Sequence, residues 1–445
     1  MNWPEDFVNK IHCADSFEFM KLIPDGVIDM FITSPPYWGL RDYGVEQIFN
    51  GDPGCKHNWG FSQVEHDNLR YRGHNANVGS NKNPEIHKGK KKSGGQFCCS
   101  CGAWRGQIGL EPTPEMYIEH LTEIFNEVKR VLKKEGVFFL NMGDTYATTS
   151  GRQGKGDLYG KQPKFSKDAD NSMPIQCKID LAQKCLCMIP ERLAWSLIKN
   201  GWIFRNKIIW EKKNNLPCSA KDRFTNRWEY IFYFVKSRRN YFNLDSVREP
   251  LKTTSLERMK RGRGESQRYA LFSQYGGGGG LNKPRLNIKF NYRVKGAEKK
   301  GKEGPMFKAS KEEIEKYQNQ DTAECNSRGK NPGDVWIMPT ACFPYDYCIT
   351  CKRLLIRNEL IFKAKKRYCP ACKKQTMSHF STFPTELCAK TILPGCPEGG
   401  IVLDPFAGAG TALFVAKQLR RKFIGIDIKK EYCEMSEKRL AQGVL

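Results

Sequence analysis

Ile401-Val402-Leu403-Asp404-Pro405-Phe406-Ala407-Gly408-Ala409-Gly410-Thr411 is the stretch from which the fold of this chain can be read. Its apolar opening suits a strand covered on both faces, its two glycines suit a tight turn, and Ala412 to Leu419 continues as a helix. A second strand, Lys422 to Ile426, ends at Asp427. Glycines let a backbone approach a ligand closely, a helix amino terminus favours a carboxylate, and an acid after the second strand can hold two ribose hydroxyls. The segment thus outlines a site for a nucleoside-containing cofactor.

The same residues narrow the choice of cofactor. Leu413 stands where a dinucleotide fingerprint expects a third small residue, and no Gly-Lys-Ser/Thr follows to hold phosphates. S-adenosylmethionine, which has a carboxylate and a ribose but no phosphate, fits better than NAD or ATP.

Moving outward, Phe7 to Cys13 reads as a strand ending near Asp15, and Val27 to Thr33 as a second, almost wholly apolar one. Pro114 and Glu115 open a helix whose Ile118, Leu121, Ile124, Phe125, Val128, Val131 and Leu132 recur at helical spacing. Gly136 to Leu140 is a strand, Pro190 to Lys199 a helix, and Trp202–Trp210 and Glu229–Lys236 are strands. Strands alternating with helices predict an α/β fold with a mainly parallel sheet.

Directly after the strand at 27–33 stands Thr33-Ser34-Pro35-Pro36-Tyr37-Trp38. Successive prolines fix the backbone and remove two donors, so the Ser34 and Pro35 carbonyls are free to act as acceptors. An exocyclic base amine is a poor nucleophile because its lone pair is delocalised into the ring. Hydrogen bonds from its two hydrogens to Ser34 Oγ and a proline-flanked carbonyl would help it become tetrahedral as a methyl group arrives. Tyr37 could stack on a base flipped out of the duplex. No general base is evident from the motif.

Together, Ser34-Pro35-Pro36-Tyr37 and Asp404-Pro405-Phe406-Ala407-Gly408-Ala409-Gly410 resemble the β group of DNA amino-methyltransferases, in which the catalytic motif precedes the cofactor motif. The resemblance covers about 1–50, 105–250 and 378–445. It implies a Rossmann-like S-adenosylmethionine-dependent methyltransferase sheet, circularly permuted so that the first two cofactor strands come last. It further implies that Asp15 meets the adenine ring and Asp427 the ribose, and that Phe406, Gly408 and Gly410 surround methionine and ribose. Asp404, Pro405 and Thr411 belong to the same loop. Thr382-Phe383-Pro384 completes the cofactor pocket, with Phe383 as its contact, and Trp210 is a wall of the base pocket. Ser rather than Asp in the first motif position favours cytosine N4 over adenine N6. No Pro-Cys-Gln is present, which argues against covalent attack on the ring.

Composition agrees. The 445 residues carry a net charge of +25, which suits a polyanion such as double-stranded DNA, and no run of 18 apolar residues suggests a membrane span. The amino terminus shows no secretory pattern, so a cytoplasmic setting is expected. In a reducing compartment the 18 cysteines point to metal rather than disulfides. Cys348-x-x-Cys351 and Cys369-x-x-Cys372 match a four-thiolate zinc ribbon around a basic hairpin, Arg353–Arg367. Cys55-x-His57 with Cys98-x-x-Cys101 forms a second candidate, with Cys99 an alternative to Cys98 and His66, His74 and His87 lying between. Two structural zinc ions follow.

The expected organisation is a catalytic core at 1–52, 105–250 and 378–445, interrupted by a possible zinc insertion at 53–104 and a zinc ribbon at 344–377. A basic target-recognition region spans 251–335. Within 251–330, 19 Lys and Arg face 9 Asp and Glu, interleaved with Tyr269, Phe272, Tyr275, Phe290 and Tyr292. A disordered linker is the alternative there, given Gly276–Gly280. The competing functional classes are a non-catalytic zinc-containing nucleic-acid-binding protein and an RNA or small-molecule methyltransferase. A cognate restriction endonuclease is a candidate partner.

Overall fold

Fourteen strands and six helices are defined in the described residues of the computed structural model: 1–59, 96–147, 181–251 without 216 and 219, 253–254, 329–341, 344–363, 366–378 and 383–442. The strands are β1 (Lys10–Cys13), β2 (Ile28–Thr33), β3 (Gln47–Phe49), β4 (Trp104–Gly106), β5 (Leu132–Met142), β6 (Ile203–Lys212), β7 (Trp228–Val235), β8 (Val335–Met338), β9 (Tyr345–Cys348), β10 (Arg353–Ile356), β11 (Ile361–Lys363), β12 (Lys366–Tyr368), β13 (Ile401–Asp404) and β14 (Lys422–Asp427). The helices are α1 (Ser16–Met20), α2 (Pro114–Val131), α3 (Ile189–Lys199), α4 (Thr385–Gly395), α5 (Thr411–Gln418) and α6 (Lys430–Gln442).

Local chemistry explains the element ends. The Thr113 hydroxyl accepts from Met116 N at 3.2 Å to cap α2, and Pro114 fills the first turn where no N–H partner exists. Asp144 caps α3 through Met188 N and Ile189 N, both at 3.0 Å. The first strand, Lys10–Cys13, is shorter than the expected span Phe7–Cys13. Asn9 adopts φ +60°, which breaks the extended path, and Phe7 turns into the core instead.

Eight strands form one sheet in the order β1-β14-β13-β2-β5-β7-β6-β8. The first five neighbours are parallel, with Lys10 opposite Ile424, Leu403 opposite Phe31, and Phe31 also opposite Phe138. The sheet is mainly parallel, as expected, and β7 is its one reversed strand: it is antiparallel to both β5 and β6, while β8 is parallel to β6. With β7 reversed between them, β6 again points the same way as β5.

Alternation along the strands builds a core on each face. Ile28, Phe31, Phe138, Leu140 and Leu403 join α1, α2 and α3 on one side. Met30, Ile32, Val137, Phe139 and Val402 join α4 and α5 on the other. At about 1.5–3 kcal/mol for each large apolar side chain buried, these two layers dominate the stability of the sheet.

The chain divides into two compact units, Met1–Asn243 with Gly333–Leu445, and Leu244–Pro332. In the second, the described residues show a short 3-10 turn at Leu244–Val247 and a bridge between Glu249 and Lys330. The expected target-recognition region, 251–335, lies almost wholly outside the described residues, as do His66, His74 and His87. Among the described residues no helix is long and apolar enough to cross a membrane.

The basic segment Arg353–Arg367 is not one hairpin. β10 pairs back onto β9 and β11 pairs with β12, so two separate hairpins each carry one cysteine pair. The pairs Cys348/Cys351 and Cys369/Cys372 are followed by Lys352 at φ +54° and Lys373 at φ +57°. Both lysines stand in the left-handed region directly after the second cysteine of their pair.

Candidate active site

In a parallel sheet the carboxyl ends of the strands share one edge, and turns leaving them converge there. Here β1, β14, β13 and β2 deliver Asp15, Asp427, Asp404 and Ser34 to that edge, and β5 and β6 deliver Asn141, Trp210 and Lys212. Because β7 runs the opposite way, its first residues, including Glu229, meet the others there. One cavity is lined by all of these residues.

On the glycine side, Gly408 and Gly410 take φ +52° and +67°, a conformation that disfavours other residues. The Asp427 carboxylate accepts from Gly408 N through one oxygen and from Lys429 N through the other, each at 2.8 Å. Burial pushes its carboxyl up to about 6, against the pull of those two N–H groups. Each oxygen keeps a further lone pair, so the residue remains able to accept from a pair of hydroxyls. The α6 helix buttresses the turn from behind. Ser436 Oγ donates to Gly408 O at 2.7 Å, and the buried Arg439 donates to Ala409 O at 3.1 Å and Thr411 Oγ1 at 2.7 Å.

The serine side is tied directly to it. Thr33 Oγ1, buried one residue before Ser34, donates to Asp404 Oδ1 at 2.6 Å, and Phe406 N donates to the same oxygen at 3.0 Å. Burial raises the Asp404 carboxyl to about 7. Pro36 O accepts from Tyr117 at 2.8 Å, which fixes the turn from α2. The Tyr37 ring rests where a side chain at Gly143 would stand, since a Cβ there would come within 2.6 Å of it. Ser34 Oγ donates to Tyr37 Oη at 3.2 Å, and Tyr37 Oη donates to Glu229 at 2.9 Å.

Of the residues expected from sequence, Asp15, Ser34, Pro35, Pro36, Tyr37, Trp210, Phe383, Asp404, Phe406, Gly408, Thr411 and Asp427 line this one cavity. Pro405 and Gly410 are not in its lining. The Pro405 carbonyl accepts from Ser16 Oγ, and Gly410 turns the chain into α5. Asp15 caps α1 through Glu18 N and is also bonded by Gln47 Nε2. Thr382 lies outside the described residues. Asn141, Lys212, Glu229, Ser436 and Arg439 join the site without a marker in the sequence. They lie on strands and a helix far along the chain, and no local pattern marks them.

Both cysteine clusters assemble. In each of Cys55/His57/Cys98/Cys101 and Cys348/Cys351/Cys369/Cys372, the four ligand atoms lie within 4.8 Å of one another. Cys98 rather than the exposed Cys99 enters the first. The Sγ–Sγ separations of 3.9 Å (Cys55–Cys98), 3.4 Å (Cys348–Cys372) and 3.9 Å (Cys351–Cys369) approach the spacing of about 3.8 Å that a tetrahedron with about 2.3 Å bonds requires. Cys101 Sγ stands 3.4 Å from His57 Nδ1. The second module is seated on α6, where Tyr347 Oη and Lys352 Nζ both bond Glu434 at 2.6 Å or less.

The chain is similar to several known proteins. A family model described as DNA methylase, for N6 and N4 enzymes, matches residues 28–438. The chain is 25% identical to the type II methyltransferase M.XycI of Xanthomonas campestris pv. cyanopsidis over 427 residues, 96% of this chain and 86% of the relative. It is likewise 25% identical to the type II methyltransferase M.Cfr9I of Citrobacter freundii, over 96% and 86% of the two chains. Among solved structures, the cytosine-N4-specific PvuII DNA methyltransferase aligns with a TM-score of 0.46 at 13% identity, covering 96% of this chain and 85% of that one. With a family match that spans both motifs and the strands between them, this chain belongs to the N6/N4 DNA methylase family.

Proposed function

We propose that the protein transfers methyl from S-adenosylmethionine to the exocyclic N4 of cytosine in double-stranded DNA, at a specific site. The observation that carries this reading is the adjacency of the two turns. They leave neighbouring parallel strands, β13 and β2, and are joined by the Thr33–Asp404 hydrogen bond. A methyl donor on one turn and an amine on the other would meet without a covalent enzyme intermediate.

The residues fit the cofactor. Asp427 has acceptor capacity for ribose hydroxyls, Asp15 and Phe383 flank the cavity, and the Gly408–Thr411 turn opens α5, whose amino terminus suits a carboxylate. When bound, S-adenosylmethionine supplies an electrophilic methyl group. Ser34 and the carbonyls of the proline turn hold the acceptor amine, and Tyr37 closes one side of its pocket. A duplex base must leave the stack to reach the cavity. Serine at position 34 supports cytosine N4 as acceptor, with adenine N6 the second reading.

The decisive experiment incubates the pure protein with S-adenosylmethionine and unmethylated duplex DNA, then resolves the nucleosides by chromatography and mass. N4-methyldeoxycytidine is expected, N6-methyldeoxyadenosine would move the acceptor to adenine, and no methylated nucleoside would overturn the enzyme reading.

The strand order supports a circularly permuted Rossmann-like sheet, because β13 and β14 come last in the chain yet lie between β1 and β2. The two cysteine clusters are read as structural zinc sites at 53–104 and 344–377, with all four positions filled by protein. The core is assigned to 1–52, 105–250 and 378–445, target recognition to 251–335, and a restriction endonuclease reading the same site is the partner class this activity implies. Elemental analysis should give about two zinc ions per chain. Chelation should lower the melting temperature, and a metal-free preparation with unchanged melting would remove the zinc assignment.

A further inference from the structure

Glu229 stands on the cavity wall, and no sequence motif marks it. One of its oxygens accepts from Tyr37 Oη at 2.9 Å and Asn141 Nδ2 at 3.2 Å, and the other is held by Lys212 Nζ. Glu229 and Lys212 are only 16% and 14% exposed. A half-sequestered ion pair of this kind contributes little net stability, because desolvation offsets most of the attraction. Its cost asks for another explanation. What distinguishes it is direction: Ser34 Oγ donates to Tyr37 Oη at 3.2 Å, and Tyr37 Oη donates to Glu229. Three oxygens lead from the motif serine into the carboxylate.

Resting on the reading of this site as an amine methyltransferase, we propose that Ser34, Tyr37 and Glu229 form a proton exit path for the acceptor amine. Glu229 is its terminal base, and Asn141 and Lys212 are positioning residues. The donor sulfur keeps the electron pair of the broken S–CH3 bond, and the amine's lone pair forms the new N–CH3 bond, which leaves nitrogen positively charged. One N–H bond of that nitrogen breaks and its electron pair returns to nitrogen. The proton passes to Ser34 Oγ as the serine's own proton moves to Tyr37 Oη and the tyrosine's moves to Glu229. The charge that arrived with the methyl group leaves the base as a proton on a carboxylate.

The energetics permit it. A ring amine that has gained a fourth substituent loses its conjugation and becomes strongly acidic, so a carboxylate is base enough. Burial and the neighbouring Glu229 charge push the Tyr37 hydroxyl well above its ordinary value, so Tyr37 passes a proton on rather than remaining ionised. Lys212 and Asn141 keep the Glu229 oxygen that receives it aligned with Tyr37.

The test uses single-turnover methyl transfer to duplex DNA by Tyr37→Phe, Glu229→Gln and the double variant. Tyr37→Phe keeps the ring against Gly143 and removes only the hydroxyl. Each single variant should slow transfer about 100-fold, as removal of a proton acceptor does, with KM for S-adenosylmethionine unchanged. The double variant should be no slower than the worse single, because the groups act as one unit. A protonated-carboxyl infrared band should appear on turnover in the parent protein and be missing in Glu229→Gln. Transfer by Tyr37→Phe within about twofold of the parent, or losses that multiply in the double variant, would overturn the path while leaving the methyltransferase reading intact. A parent protein that transfers no methyl at all would overturn both.

Discussion

The two turns at the carboxyl edge are built in different ways. The glycine turn is largely a local object: Asp404, Gly408, Gly410 and Asp427 lie within 24 residues, and its geometry comes from backbone N–H groups and positive φ angles. The serine turn borrows its chemistry. Ser34 and Tyr37 act through Glu229, Asn141 and Lys212, which arrive on β7, β5 and β6 from more than 100 residues away. A site that holds a constant cofactor can be written into one short segment. A site that must handle a proton in a dry pocket needs partners that only the assembled sheet supplies.

The largest effect that would sharpen this contrast is expected at Asp427→Asn. An amide offers one oxygen, whereas Gly408 N and Lys429 N donate to different oxygens, so either orientation sets an NH2 against an N–H. The ribose hydroxyls would then meet a neutral amide, and two hydrogen bonds to ligand that each lose about 1.5 kcal/mol of charge assistance correspond to about 100-fold in affinity for S-adenosylmethionine. Calorimetric titration reads this directly, and an unchanged affinity would remove Asp427 from the cofactor site.

A smaller loss is expected at Gly410→Ala. The backbone there has φ +67°, and a Cβ would stand 2.8 Å from Ser436 Oγ. Urea unfolding should show a destabilisation of about 1–3 kcal/mol. Stability equal to the parent would mean that the turn is not the rigid, locally determined object described above.

The smallest change probes the bond between the turns. Removing the Thr33 hydroxyl in Thr33→Val leaves buried Asp404 with one fewer donor, at a cost of about 1–2 kcal/mol. Its pH dependence is set by the raised carboxyl. Folded Asp404 holds a proton up to about 7, whereas an unfolded aspartate releases it near 3.8. The folded chain therefore binds more protons in that window, so its stabilising contribution is complete below about 4 and is lost as pH rises through about 7. Thr33 favours the carboxylate, so the variant should lose more stability at pH 8 than at pH 5. Equal losses at both values in urea melts would separate the two turns energetically.

The sequence alone determined the α/β alternation and both motifs, because strand burial, helix periodicity and glycine turns are written in neighbouring residues. It also marked eight metal-ligand candidates by spacing, and the chain brings the ligand atoms of each four together. What it left open follows from distance along the chain. Asn9 ending β1 early, β7 entering the sheet in reverse and the split of 353–367 into two hairpins depend on which strands find each other. Ser436 and Arg439 read as ordinary residues of a terminal helix until α6 packs behind the glycine turn. Glu229 became legible only when β7 laid it beside Tyr37, because a hydrogen bond between residues 192 positions apart has no local signature and is decided by sheet order.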